Sequence, residues 1–207
     1  VSAGSIVAAM YAMNLDPFWV ENKFREIWES DSFQKASRSI ISNGNRKSLF
    51  NKITKIFVNH IIAIMSLHKK SIIKNKQLEE ALNSLFADIH FKDLKIPLKV
   101  VATDINSGKD IVYDRGSLVD AILQSSSIPG VLEPIFKEKK IIVDGGVGMP
   151  IPVSVIKNHC EFTIAIDIGM YRLRPIDRIN AVSIKKRAEI ITSNRLKKKL
   201  SLEADFI

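Results

Sequence analysis

Two residues in this chain have the type and setting for acyl-transfer chemistry. Ser2 stands in Val1-Ser2-Ala3-Gly4, a serine followed by two very small residues at the entrance to the apolar series Ser5 to Met10. Such a stretch suits a sharp strand-to-helix turn that exposes the serine oxygen and lets the helix pack close to its strand. The nucleophile elbow reads G-x-S-x-G, and the chain supplies x-S-x-G; a serine in front of a helix also serves as a plain N-cap. The second residue is Asp144, which ends the apolar run Ile141-Ile142-Val143 and precedes Gly145-Gly146. Strand ends are where α/β sheets place functional groups, and the glycines allow sharp turning and close approach. An Asp-Gly pair is equally an ordinary turn. His90 and His159 are rival partners for a serine, as in a Ser-His-Asp triad. His60 and His68 lack a metal-like spacing to carboxylates and read as structural.

The elements that must position these groups follow from periodicity and punctuation. Residues 4–14 read as a buried helix closed by Asn14, and Asp16 caps a second helix with Pro17 in its first turn. Residues 48–87 carry apolar residues every three or four positions edged by lysines, a pattern shared by surface helices and helices lying in a lipid interface; the surface helix is the commoner case. Leu98 to Asp104 reads as a buried strand, Asn106-Ser107-Gly108 as a turn, and Asp110 to Tyr113 as a second strand. Leu118 to Gln124 is a helix, stopped by Ser125-Ser126-Ser127-Ile128-Pro129-Gly130, whose small residues permit a tight passage beside another segment. Strand 140–143, a short helical start at 153–157, a core strand at 162–168 and a basic helix from Ala181 complete the chain. Alternating strands and helices predict an α/β layered domain with a mostly parallel sheet.

The 207 residues fit one large domain, and 46% hydrophobic with 26% charged residues are the proportions of a globular protein with a sizeable core. The single Cys160 excludes an intramolecular disulfide and argues against a thiolate-rich metal site. No apolar run approaches the roughly 20 residues of a membrane-spanning helix. The net charge of +9 raises anionic lipid, nucleic acid or an acidic protein as partners, beside a merely solvated basic surface.

Taken in order, the x-S-x-G turn, Asp93-Leu94 through Ile96-Pro97, Val100 to Asp104, Ser107-Gly108, the Ala121 to Pro134 stretch, Val143 to Val153 and the strand expected at 162–168 form one series. That series resembles the patatin-like phospholipases, in particular the bacterial members related to neuropathy target esterase. The resemblance implies a three-layer α/β/α fold with a mostly parallel central sheet. It implies a single domain over 1–207 with a helical insertion at about 16–90. It also implies a Ser–Asp dyad with Ser2 as nucleophile and Asp144 as general base and acid, supported by Ala3, Gly4, Gly145 and Gly146. The activity implied is hydrolysis of lipid esters, of the phospholipase A or lysophospholipase type, with no metal and no organic cofactor. The alternative is a non-catalytic module of the same fold that binds lipid or a partner protein. The expected partners are a lipid ester and an anionic membrane surface touched peripherally, with no nucleic acid, and the expected location is cytoplasmic. The family's glycine-rich oxyanion loop and first strands precede the elbow, so the chain is expected to be truncated at its N-terminus, and also beyond Leu202 to Ile207. By itself it is expected to be catalytically impaired.

Overall fold

The structure, a computed structural model, describes residues 1–29, 75–168, 173, 175–176 and 179–207. Helix α1 (Ala3–Met13) leads through a three-residue link into α2 (Pro17–Glu29), whose first turn is capped by the Asp16 carboxylate accepting from the Phe18 amide at 2.9 Å. Most of the helix expected at 48–87 lies outside the described residues, as do His60 and His68; its described end is α3 (Lys76–Phe86). Strand β1 (Val100–Asp104) and strand β2 (Lys109–Tyr113) form a hairpin. After α4 (Leu118–Ser125), a second hairpin joins β3 (Ile135–Lys137) to β4 (Lys140–Asp144).

The four described strands form one sheet in the order β2-β1-β4-β3, with every neighbouring pair antiparallel. The parallel sheet predicted from alternating strands and helices is therefore not what these strands build. Two tight hairpins force antiparallel pairing, and α4 with its following turns returns the chain so that β4 runs against β1. The class remains α/β. Every residue of β1 is buried, as befits a central strand. On it and around α4 lies the main core, which includes Met10, Leu82, Phe86, Val100, Leu118 and Ile122.

The C-terminal third departs from expectation in two places. Residues 153–157 form short 3-10 turns rather than an α-helix. Residues 162–168 are not a core strand: among the described residues their one ladder contact is the parallel bridge of Ile164 with Phe206. Thr163 and Ala165 point inward, while Ile166 and Ile168 are more than 80% exposed. A strand needs neighbours for its amides as much as apolar side chains, and here only the 205–206 segment supplies them. Helix α5 (Ala181–Ser201) forms as expected, opened by a reciprocal Asn180–Ser183 cap. It buries little of its length; Leu200 and Ala204 join a small second core with Ile151, Val153 and Ala165.

Candidate active site

Ser2 occupies a backbone conformation, φ 52° and ψ −136°, that side-chain-bearing residues rarely adopt. Its hydroxyl does not cap α1. The capping work falls to its carbonyl, which accepts from the Ser5 amide at 2.8 Å and from the Ser5 hydroxyl. This leaves the Ser2 hydroxyl free of the helix, and it lies near enough to the Asp144 carboxylate to lower its pKa. The simple N-cap reading of Ser2 is thereby excluded. Behind it, the Ser2 amide donates to Ser125 Oγ at 3.0 Å, and that hydroxyl donates to the Val101 carbonyl at 2.7 Å. Ala3 and Gly4 form the exposed first turn of α1. No described atom lies within 4 Å of where a Gly4 side chain would begin, so the close approach expected there is not seen.

Asp144 closes β4 opposite Ala102 of β1 and is only 6% exposed. Its amide donates to the Ser127 carbonyl at 2.9 Å, and its Oδ1 accepts from the Gly146 amide at 2.7 Å. Burial pushes its carboxyl above the usual carboxylate range. The Ser2 hydroxyl and the Gly146 amide pull in the opposite direction with smaller effect. Of the apolar residues beside it in sequence, Ile142 and Val143 are buried, Ile141 is half-buried and Val147 is exposed. Gly145 packs directly on the Val101 carbonyl, where no Cβ fits. Gly146 is less constrained: a Cβ there would meet Asp144 Oδ1 at 3.0 Å.

The histidines are placed differently. His90 is exposed, with Nδ1 2.9 Å from the Asp88 carbonyl and its amide donating to Asp93. His159 is exposed in the turn Lys157–His159. Neither is among the groups that shift Asp144. Cys160 is exposed, and among the described residues no three His, Cys, Asp or Glu side chains gather as metal ligands would. Among the described helices none is long and apolar enough to cross a membrane.

Ser125 and Ser127 have roles that the sequence does not announce. The serine run was legible as a tight passage, but which segment passes beside it depends on contacts more than a hundred positions apart. What the arrangement can do chemically is hold a serine hydroxyl beside a single buried carboxylate, at a turn with a strained backbone.

A family model described as patatin-like phospholipase matches residues 1–156, about three quarters of the chain, and the matched region contains both Ser2 and Asp144. An uncharacterized NTE family protein of Mycobacterium bovis is 31% identical over 105 residues, half of this chain and 29% of the relative. One from Mycobacterium tuberculosis matches to the same extent. A further uncharacterized NTE family protein of Mycobacterium tuberculosis is 26% identical over 86 residues, 42% of this chain and 15% of its own length. The chain thus aligns with less than a third of the length of these curated relatives.

Proposed function

The chain belongs to the patatin-like phospholipase family, and on that premise we propose that it hydrolyses carboxylic esters of lipids through an acyl-enzyme on Ser2, with Asp144 as the only proton acceptor. The observation that carries this reading is the pairing of a serine in a strained backbone conformation with a carboxylate whose burial raises its pKa. A carboxylate of ordinary pKa, about 4, is a poor base for an alcohol. Each step upward brings proton transfer closer to balance at neutral pH.

In the first half-reaction Asp144 takes the Ser2 proton while Oγ bonds to the ester carbonyl carbon. The tetrahedral intermediate collapses, the C–O bond to the alcohol breaks, and the alcohol leaves with the proton from Asp144. In the second, Asp144 deprotonates water, which attacks the acyl carbon; the fatty acid departs and Ser2 regains its hydrogen. The first amides of α1, Ala3 and Gly4, have no intrahelical acceptor by helix geometry and sit beside Ser2, so they supply part of the oxyanion site. The family's glycine-rich loop would supply the rest. No metal or organic cofactor takes part in this scheme.

The substrate class is a phospholipid or lysophospholipid ester. The exposed Lys186, Arg195, Lys198 and Lys199 of α5 suit peripheral contact with anionic lipid on the cytoplasmic side of a membrane. In the whole protein the described antiparallel strands would join a mostly parallel, three-layer sheet, with residues 16–90 as a helical insertion.

The test is reaction of the full-length protein with a fluorophosphonate probe, together with ester hydrolysis across lipid classes. Labelling should map to Ser2 and vanish in Ser2→Ala. Labelling of the Ser2→Ala protein, or hydrolysis without labelling, would remove Ser2 from the chemistry. A folded full-length protein that binds lipid vesicles but neither labels nor hydrolyses would favour a non-catalytic lipid-binding module.

A further inference from the structure

A residue in the backbone region of Ser2 is strained and persists only where its surroundings over-determine it. Helix α1 alone does not do so, because Ser2 precedes the helix and its amide lies outside the ladder. The amide is instead taken by Ser125 Oγ, on a side chain with no exposed surface at the C-terminal end of α4. A hydroxyl has one hydrogen. Ser125 spends it on the Val101 carbonyl of β1, so its lone pair must face Ser2. The same Val101 carbonyl is the surface on which Gly145 packs, one residue beyond Asp144. Two residues after Ser125, the Ser127 carbonyl accepts the amide of Asp144 itself. One short stretch of chain therefore touches the backbone of both proposed catalytic residues.

Resting on the hydrolase reading above, we infer that Ser125 is a positioning residue: its hydroxyl fixes the Ser2 backbone against Val101 and so sets the Ser2 oxygen on Asp144. Its bond also occupies the Ser2 amide, leaving the following amide, that of Ala3, as the donor nearest a developing oxyanion. Ser125 touches neither substrate nor the reacting atoms; it acts through Ser2. Without its hydroxyl, the Ser2 peptide has no buried acceptor to oppose relaxation toward an ordinary conformation. The serine oxygen then moves away from the carboxylate, and a displacement near 1 Å is enough to slow a reaction by about a hundredfold.

The experiment compares wild type, Ser125→Ala and Ser125→Cys in the full-length protein, with Thr163→Val as a control. Thr163 is buried and its hydroxyl bonds Asp205 at 2.6 Å, so its loss weakens the fold away from the dyad. Ser125→Ala should slow fluorophosphonate labelling of Ser2 by about 10–100-fold and lower kcat with little change in KM. Ser125→Cys, nearly the same size with a weaker bond, should fall between and carries the test if the alanine protein does not fold. Thr163→Val should lower the melting temperature without slowing labelling.

The pH profile separates positioning from general destabilisation. The Ser2 hydroxyl lowers the Asp144 pKa, and no charged side chain among the described residues acts on it. Moving the Ser2 hydroxyl away raises that pKa, so the acidic limb of the rate profile should move to higher pH in Ser125→Ala and stay in place in Thr163→Val. Exchange of the Ser2 amide hydrogen, which needs no catalysis, should accelerate in Ser125→Ala. Equal labelling rates and an unmoved limb in a folded Ser125→Ala protein would overturn the inference while leaving the hydrolase reading intact. An unlabelled, inactive wild type would overturn the hydrolase reading and this role with it, even if the exchange data confirmed the hydrogen bond.

Discussion

Gly145 lies against the Val101 carbonyl so closely that a methyl group in place of its hydrogen would fall far inside van der Waals contact with that oxygen. The contact brings β4, and hence Asp144, to a fixed distance from β1, the most deeply buried strand described. The obstructing atom is backbone in the middle of a sheet, which has no rotamer by which to move aside.

Gly145→Ala should therefore destabilise the protein by about 3 kcal/mol or more, at the upper end of overpacking costs. It should also depress whatever activity survives, because the strain is delivered next to Asp144. Gly148→Ala is the matched comparison. Its added Cβ would press on the Asp110 carboxylate and lie 3.0 Å from Thr103 Oγ1, both side-chain atoms able to shift. A chemical-denaturation series should rank the two clearly, with Gly148→Ala losing much less.

Ser2→Gly and Ser2→Ala should part company in stability although both abolish labelling. Glycine tolerates the φ of 52° and alanine does not. Relief of strain worth about 1–3 kcal/mol, less the chain entropy glycine costs, gives Ser2→Gly a net gain of about 1 kcal/mol. Ser2→Ala keeps the strain and should show no such gain. Thermal melts of the three proteins at one pH are sufficient.

Asp144→Asn should lose about 1,000-fold or more in kcat, the scale on which removal of an essential base is felt. Its stability should move the other way. The folded pKa of Asp144 lies above the unfolded value of 3.8, so ionisation opposes folding. The penalty is absent where both states are protonated and grows as pH rises above the unfolded pKa toward and through the folded one. The asparagine protein should melt above wild type at pH 7, with the difference shrinking as pH falls below about 4. Equal melting temperatures across that range would contradict the desolvation argument.

Asp104 has the opposite sign. Its Oδ2 accepts from the Ser107 hydroxyl at 2.6 Å, and its Oδ1 accepts from the amides of Asn106 and Ile141, each at 3.1 Å. The Ser107 bond is the largest influence holding its carboxyl below the usual range. The carboxylate pins the β1–β2 turn to the start of β4, and its contribution is present above the unfolded pKa and lost as pH falls through the folded one. Asp104→Asn should lower the melting temperature at pH 7 and converge on wild type in acid. Ser107→Ala should reproduce part of the loss.

Several elements could be read in advance because their signals are local. The VVATD run is apolar and closed by a turn, Ser117 caps α4, and Pro17 opens α2. The β3–β4 hairpin escaped because its turn residues are Glu138 and Lys139, both at positive φ, where asparagine and glycine would have advertised the turn. The 162–168 stretch misled for the converse reason: its alternation is strand-like, but hydrogen-bond partners are not encoded in a strand's own residues.

The sequence by itself determined the chemical types at the site and their order: a serine before two small residues, an aspartate before two glycines, and a serine-rich stop between them. Those are local facts, fixed by turn sterics and strand endings, and with them came the resemblance that the family match bears out. Only the tertiary structure decided that Ser2 stands beside Asp144, that Asp144 is buried, and that Ser125 fastens the Ser2 backbone to β1. Burial and backbone strain belong to the packed surroundings and not to the residue. An x-S-x-G turn is a cap or a candidate nucleophile according to what stands opposite its hydroxyl, and here that is a carboxylate at the end of β4.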